Sequence, residues 1–114
     1  MTKRFLPVLL LAFALLGLAG CGPAPSSSAE KFAVALAKGD VVTAKKYCTQ
    51  PTASMLDFAV SLGAARTQPN FKFVVIDQKI EGERATVRFK DEKGKEQKLD
   101  LAKIDGLWLV DVRQ

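Results

Sequence analysis

The spacing of apolar residues changes once along this chain, at Pro69, and that change restricts the fold more than any other feature. Before Pro69, apolar side chains recur every three or four residues, as on one face of an α-helix. After it they alternate with polar side chains, as in half-buried β-strands. Successive helices followed by successive short strands predict an α+β domain, with helices packed on a curved four-stranded antiparallel meander.

Three helices are predicted before Pro69. Ser27 and Glu30 have the spacing of a capping box and open the first helix, which Gly39 ends. Asp40 caps a second helix that runs to about Tyr47. The third helix opens at Thr52 or Ser54, and its apolar stripe consists of Met55, Phe58, Ala59 and Leu62.

Four strands are predicted after Pro69, over residues 71–80, 83–91, 95–104 and 107–113. Asp105-Gly106 is a strong two-residue hairpin signal, which places Leu101 opposite Val110. The other two turns are predicted at Glu81-Gly82 and at Glu92-Lys93-Gly94. Together they give the cross-strand pairs Val87–Leu99, Ala85–Leu101, Ile76–Val87 and Val74–Phe89, all on one core face that the first and third helices cover.

The opposite face of the predicted sheet combines charged and apolar residues. Arg84, Arg88 and Lys90 lie across from Glu96 and Asp100, so cross-strand ion pairs are expected at its centre. Its outer strands carry five apolar residues, Phe71, Phe73, Val75, Leu107 and Leu109. Two explanations stay open for these five: sheet curl with cover from helices or chain ends, or a surface for a homodimer or another partner.

The N-terminus is typical of an export signal. Lys3 and Arg4 precede an uncharged run from Phe5 to Gly20, which is shorter than the roughly 20 residues that a membrane-spanning helix needs. Residues 1–20 are therefore predicted to be a cleaved signal peptide. Their removal leaves 15 basic and 12 acidic residues, a net charge of +3 without clustering, which does not favour nucleic acid as a partner.

The residues that end this run, Leu18-Ala19-Gly20-Cys21, resemble the lipobox of bacterial lipoprotein precursors. The resemblance implies cleavage before Cys21 and a lipid on its thiol, so that membrane lipid is the first expected partner. Gly22 follows where an Asp would imply inner-membrane retention. In a diderm bacterium the expected location is therefore the periplasmic leaflet of the outer membrane. Residues 21–28, rich in Gly, Pro and Ser, are predicted to form a flexible tether to a domain of residues 29–114.

Two segments of that domain resemble a known bacterial group. The run from Phe32 to Asp40, with the following Ala44 and Tyr47, is similar to a family opening of helix, Gly-Asp and helix, and residues 104–111 are similar to its closing hairpin. These are small lipoproteins of unknown function with a nuclear-transport-factor-two-like, or cystatin-like, domain. The resemblance implies a curved sheet around a helix with a conical pocket, which relatives use for catalysis, transport or dimerisation.

No catalytic, metal or cofactor site is predicted. The sequence contains no histidine, which removes Ser-His-Asp and Cys-His catalysis and zinc sites built on histidine. Cys48 is interpreted as a packing residue at a helix end rather than a nucleophile. Asp57 and Tyr47 are the candidates for a proton-transferring carboxylate and an oxyanion donor. Asp57 is expected to face water, and Asp100 and Asp111 are expected to point away from the core.

The expected function is therefore non-enzymatic. A membrane-anchored domain would bind a protein partner or a small apolar ligand at the cell envelope. The alternatives are a metal-independent pocket enzyme of isomerase or hydratase type, and a structural homodimer.

Overall fold

A computed structural model describes residues 24–64 and 67–112. The predicted signal segment 1–20 and Cys21, the predicted lipidation site, lie outside this range. The helices are α1 (Pro25–Ala37), α2 (Val41–Lys45) and α3 (Gln50–Ser61), and the strands are β1 (Val74–Glu81), β2 (Arg84–Lys90), β3 (Glu96–Ile104) and β4 (Leu107–Val110). The strands form one antiparallel sheet in the order β1-β2-β3-β4. The predicted α+β class, with helices before a four-stranded meander, is confirmed.

The first helix begins earlier than the sequence predicts. Its N-cap is Ala24, which makes no side-chain cap, and Pro25 occupies the first turn. Proline is favoured there because the N–H that it lacks would have no partner in the helix. Ser27 lies inside α1, so the capping-box prediction is wrong, and residues 25–28 of the predicted flexible tether are helical.

The core lies between α1 and the face of the sheet formed by β2, β3 and β4. Ala29, Phe32 and Ala35 of α1 are buried against it. On the sheet the buried residues of this core are Ala85, Val87, Leu101, Trp108 and Val110. The predicted pairs Leu101–Val110, Val87–Leu99 and Ala85–Leu101 are confirmed.

The register of the first hairpin differs from the prediction. Glu81 pairs with Arg84, so the turn residues are Gly82 and Glu83 rather than Glu81 and Gly82. An irregularity between Val75 and Asp77 adds a further shift. Val87 therefore faces Gln78 instead of Ile76, and Phe89 faces Val75 instead of Val74.

The third helix does not cover the sheet with its predicted stripe. Met55, Phe58 and Leu62 are exposed, and Thr52 is the buried residue of α3. The helix instead approaches the core with its other side, where Ala53 and Leu56 are partly buried. The prediction failed because α1 already occupies the apolar face of the sheet.

Candidate ligand-binding groove

A groove separates α1 from α3. Its volume is about 290 Å³. It is lined by Ala33, Leu36, Ala37, Gly39, Val41, Leu56, Ala59, Val60, Ala64, Gln68 and Phe71. Among these described lining residues Gln68 alone has a polar side chain, and none has an ionisable one. The groove can therefore hold apolar matter and offers one amide for orientation.

Small residues on α1 create the space. Ala33 and Ala37 line the groove because they lie on the part of α1 that faces α3 rather than the sheet. Beyond the helix, Gly39 adopts a φ of +76°, and an added Cβ would lie 3.2 Å from the methyl carbon of Thr67. The Gln68 N–H donates to the Ala37 carbonyl at 2.7 Å, which holds one end of the groove closed.

A polar cluster, which we call the α3 latch, fixes the N-terminus of α3 to the sheet. Asp111, 1% exposed, accepts hydrogen bonds from the Thr49 hydroxyl at 3.2 Å and from Arg84 Nη1 at 3.0 Å. Thr49 also caps α3 by accepting from the Thr52 N–H, and the Thr52 hydroxyl accepts from the Val112 N–H at 3.1 Å. The buried carboxylate is thereby paired, and it lies near a helix N-terminus, where negative charge is favourable.

Sequence reasoning expected Asp111 to point away from the core, and it missed the latch. The latch residues are far apart in sequence, at positions 49, 52, 84 and 111, and no spacing rule connects them. One signal was available: Thr49 is a residue type favoured as an N-cap, and it stands two positions before Pro51, which is favoured in the first turn of a helix.

The five residues predicted to share an interaction face do not form one surface. Phe73 stacks on Phe89 with ring centroids 4.2 Å apart, and Val75 pairs with Phe89, so both lie on the helix side of the sheet. Phe71 lines the groove. The prediction of one shared face is wrong, because the irregularity between Val75 and Asp77 turns the residues before it to the other side of the sheet.

Leu107 and Leu109 remain on the outer face as predicted. They pair with Ile104 and Ala102 across β3, next to one another along the sheet edge. Leu107 and Ile104 are both exposed. Whether this smaller patch contacts a partner stays a prediction.

The residues considered for catalysis lie outside the groove. The Cys48 thiol is buried and lies 3.7 Å from the Lys45 carbonyl; burial raises its pKa, which disfavours the reactive thiolate. Asp57 is exposed and pairs with Lys45 at 3.0 Å, as its predicted solvent position implies. Tyr47 packs under Lys31, whose Nζ lies 5.6 Å from the ring centroid.

Ion pairs occupy the centre of the outer face. Arg88 donates to Glu96 at 2.9 Å, confirming the predicted cross-strand pairing, and also to Asp77 at 2.9 Å. These hydrogen bonds lower the pKa of Asp77 and raise that of Arg88. Arg84 instead binds Asp111, and Asp100 accepts from Thr86 at 2.8 Å. The two arginines are thus engaged within the protein.

Neither a metal centre nor a membrane-spanning helix occurs within residues 24–64 and 67–112. No group of three or more His, Cys, Asp or Glu side chains comes together there in a way that could hold a metal ion. None of the helices described in that part of the chain combines the length and apolar character needed to cross a bilayer.

Comparison with known proteins identifies the fold. No family model matches the sequence, and no curated protein matches it significantly. The chain is similar in structure to a candidate NTF2-like transpeptidase from Campylobacter jejuni, with a TM-score of 0.60 and 18% sequence identity. The match covers 80% of this chain and 100% of the other. At this identity the likeness shows the fold alone, which is NTF2-like.

Proposed function

We propose that this chain is a lipid-anchored protein of the bacterial envelope whose domain binds a small apolar ligand, or an apolar segment of a partner, in the groove between α1 and α3. The observation that carries the binding function is the lining of that groove, in which Gln68 supplies the polar side chain and the other described positions are apolar or glycine. Apolar matter entering it would leave water, which is favourable in proportion to the area buried.

The same lining favours binding over catalysis. Proton transfer and covalent catalysis need a titratable or nucleophilic group within hydrogen-bond reach of the ligand. The described residues of the groove supply none, and the Cys48 thiol is buried elsewhere with a raised pKa. The name of the structural neighbour makes acyl transfer the second candidate function, with Cys48 as the nucleophile to test.

Ligand binding can be tested with N-phenyl-1-naphthylamine, an apolar probe that fluoresces when it leaves water. Ala59→Phe would fill the groove, because Ala59 lines it. Ser54→Phe adds the larger side chain to an exposed position of the same helix and is the matched control. We expect A59F to weaken probe binding at least about tenfold, equivalent to about 1.4 kcal/mol, and S54F to leave it unchanged.

Equal binding by A59F and the parent, with both folded by circular dichroism, would contradict the groove as the site. The second candidate predicts a different pattern. Cys48→Ala would then abolish acyl transfer from a peptide thioester while leaving probe binding intact.

The lipid anchor is supported by the sequence Leu18-Ala19-Gly20-Cys21 after a basic and then apolar segment. Mass analysis of the mature chain is expected to show a diacylglycerol-modified Cys21 at its N-terminus. Globomycin, which inhibits the lipoprotein signal peptidase, should make the longer precursor accumulate. A free, unmodified chain beginning at another residue would contradict the anchor without affecting the groove.

A further inference from the structure

Helix α3 and its C-cap residue Leu62 present a row of large apolar side chains to the outside. Met55, Phe58 and Leu62 are 50%, 66% and 69% exposed. Their spacing of three and four residues places them above one another on one side of the helix. We call them the α3 stripe. Exposed apolar groups in a continuous row mark a surface that contacts something other than water.

The chain that precedes α1 indicates what covers the stripe. Helix α1 begins at Pro25, so residues 22–24 alone separate it from Cys21, the predicted lipid attachment point. Three residues extend at most about 11 Å. An acylated chain therefore keeps the start of α1 next to the lipid headgroups and the rest of this small domain within reach of them, at an effective concentration far above that of a free partner.

We propose that α3 lies on the membrane surface, with the α3 stripe inserted at the boundary between headgroups and acyl chains. The inference rests on the proposed lipid anchor and adds an orientation to it. Helices lying in the plane of a membrane bury one apolar side in this way. Helix α3 contains no Lys or Arg, and its one charged residue, Asp57, is paired with Lys45 of α2, so the contact depends on apolar side chains rather than on anionic lipid.

This orientation also gives the groove an access route. Ala59 and Leu56, on the neighbouring sides of α3, line the groove. When the α3 stripe contacts lipid, the groove lies next to the acyl chains. An apolar ligand would then pass from the bilayer into the groove without crossing water. A ligand dissolved in water would reach the groove without any contact between α3 and lipid.

The test uses the acylated mature chain in phosphatidylethanolamine and phosphatidylglycerol vesicles, with or without brominated acyl chains that quench tryptophan. Phe58→Trp places a reporter on the α3 stripe. Lys98→Trp is the control, an exposed position on the outer face of β3. Trp108, 6% exposed in the core, gives the same background in both. We expect a blue shift and brominated-lipid quenching of F58W, neither of them in K98W, and little change with salt.

Three results would overturn the inference. If the protein floats with the vesicles but brominated lipid does not quench F58W, the chain is anchored and α3 does not contact the membrane. A blue shift of F58W that depends on protein concentration and not on bromine would assign the α3 stripe to a second copy of the chain. Failure of the parent protein to float would reject the anchor, and the inference with it, while leaving probe binding in the groove as a separate result.

Discussion

Helices α1 and α3 are almost equal in length, with 13 and 12 residues, and both carry an apolar stripe. Their surroundings differ. Six residues of α1 are buried, among them Phe32 at 5% exposure, whereas Thr52 is the buried residue of α3 and Phe58 is 66% exposed. An apolar stripe therefore shows that a helix side avoids water, but it does not show whether the covering surface belongs to the same molecule.

The largest expected effect separates the two phenylalanines. Phe32→Ala would leave a cavity between α1 and the sheet and should lower the free energy of unfolding by about 3–5 kcal/mol. Phe58→Ala removes an exposed ring and should change it by less than about 0.5 kcal/mol in the absence of membrane. Urea unfolding of the detergent-free domain measures both. Similar losses would show that α3 is covered within the protein in solution.

The α3 latch should be the next most sensitive feature. Asp111→Asn weakens its hydrogen bonds to Arg84 and Thr49, and we expect a loss of about 1–3 kcal/mol. Arg84 is 46% exposed and can be hydrated, which limits the cost. Amide hydrogen exchange should increase more in α3 than in α1. The control is Asp100→Asn, which affects the hydrogen bond to Thr86. If Asp100→Asn and Asp111→Asn increase hydrogen exchange in α3 equally, the latch does not hold α3.

Capping should also differ between the two helices. Thr49 caps α3 with its side chain, so Thr49→Ala should lower the free energy of unfolding by about 1 kcal/mol. Ser27 lies inside α1 and does not cap it, so Ser27→Ala should change stability by less than about 0.5 kcal/mol. Thermal unfolding can measure both changes. A larger loss for Ser27→Ala would restore the capping box that the structure contradicts.

The smallest expected effect concerns acid stability of the sheet that supports α1. Hydrogen bonds from Arg88 hold the pKa of Asp77 below its ordinary value. This contribution to stability is complete above the unfolded pKa of about 4 and is lost as pH falls through the lower folded pKa. Asp77→Asn should therefore reduce the dependence of stability on pH below about pH 4. Urea unfolding midpoints of the parent protein and of Asp77→Asn at pH 7 and pH 3 measure this dependence. An equal change of midpoint with pH in the two proteins would contradict the prediction.

The sequence alone gave the order of the elements and most of the sheet. Asp105 and Gly106 have φ angles of 51° and 80°, both positive as a type I′ hairpin turn requires, which is why the β3–β4 register could be predicted. The β2–β3 register agreed with it because both placed apolar residues on one face. Turn residues and the alternation of apolar and polar side chains act over a few neighbouring residues, so their effect can be predicted from the sequence.

The sequence could not give the β1 register or the location of the groove. The irregularity after Val75 turns every earlier residue to the other face of the sheet, and no residue type at that position predicts it. The groove combines Ala33 of α1, Ala59 of α3 and Phe71 before β1, which are brought together only by packing. Small apolar residues carry no signal that distinguishes the wall of a cavity from a filled core.

What the sequence determined by itself is therefore which residues share a helix side or, outside the irregular start of β1, a strand face. It also predicts a signal segment and a lipobox-like pattern at the N-terminus. The tertiary structure decided which of those sides meet each other. Periodicity is a property of one segment, because it follows from backbone geometry. Contact between segments depends on which surface is already occupied, and α1 occupied the sheet face that the α3 stripe was predicted to cover.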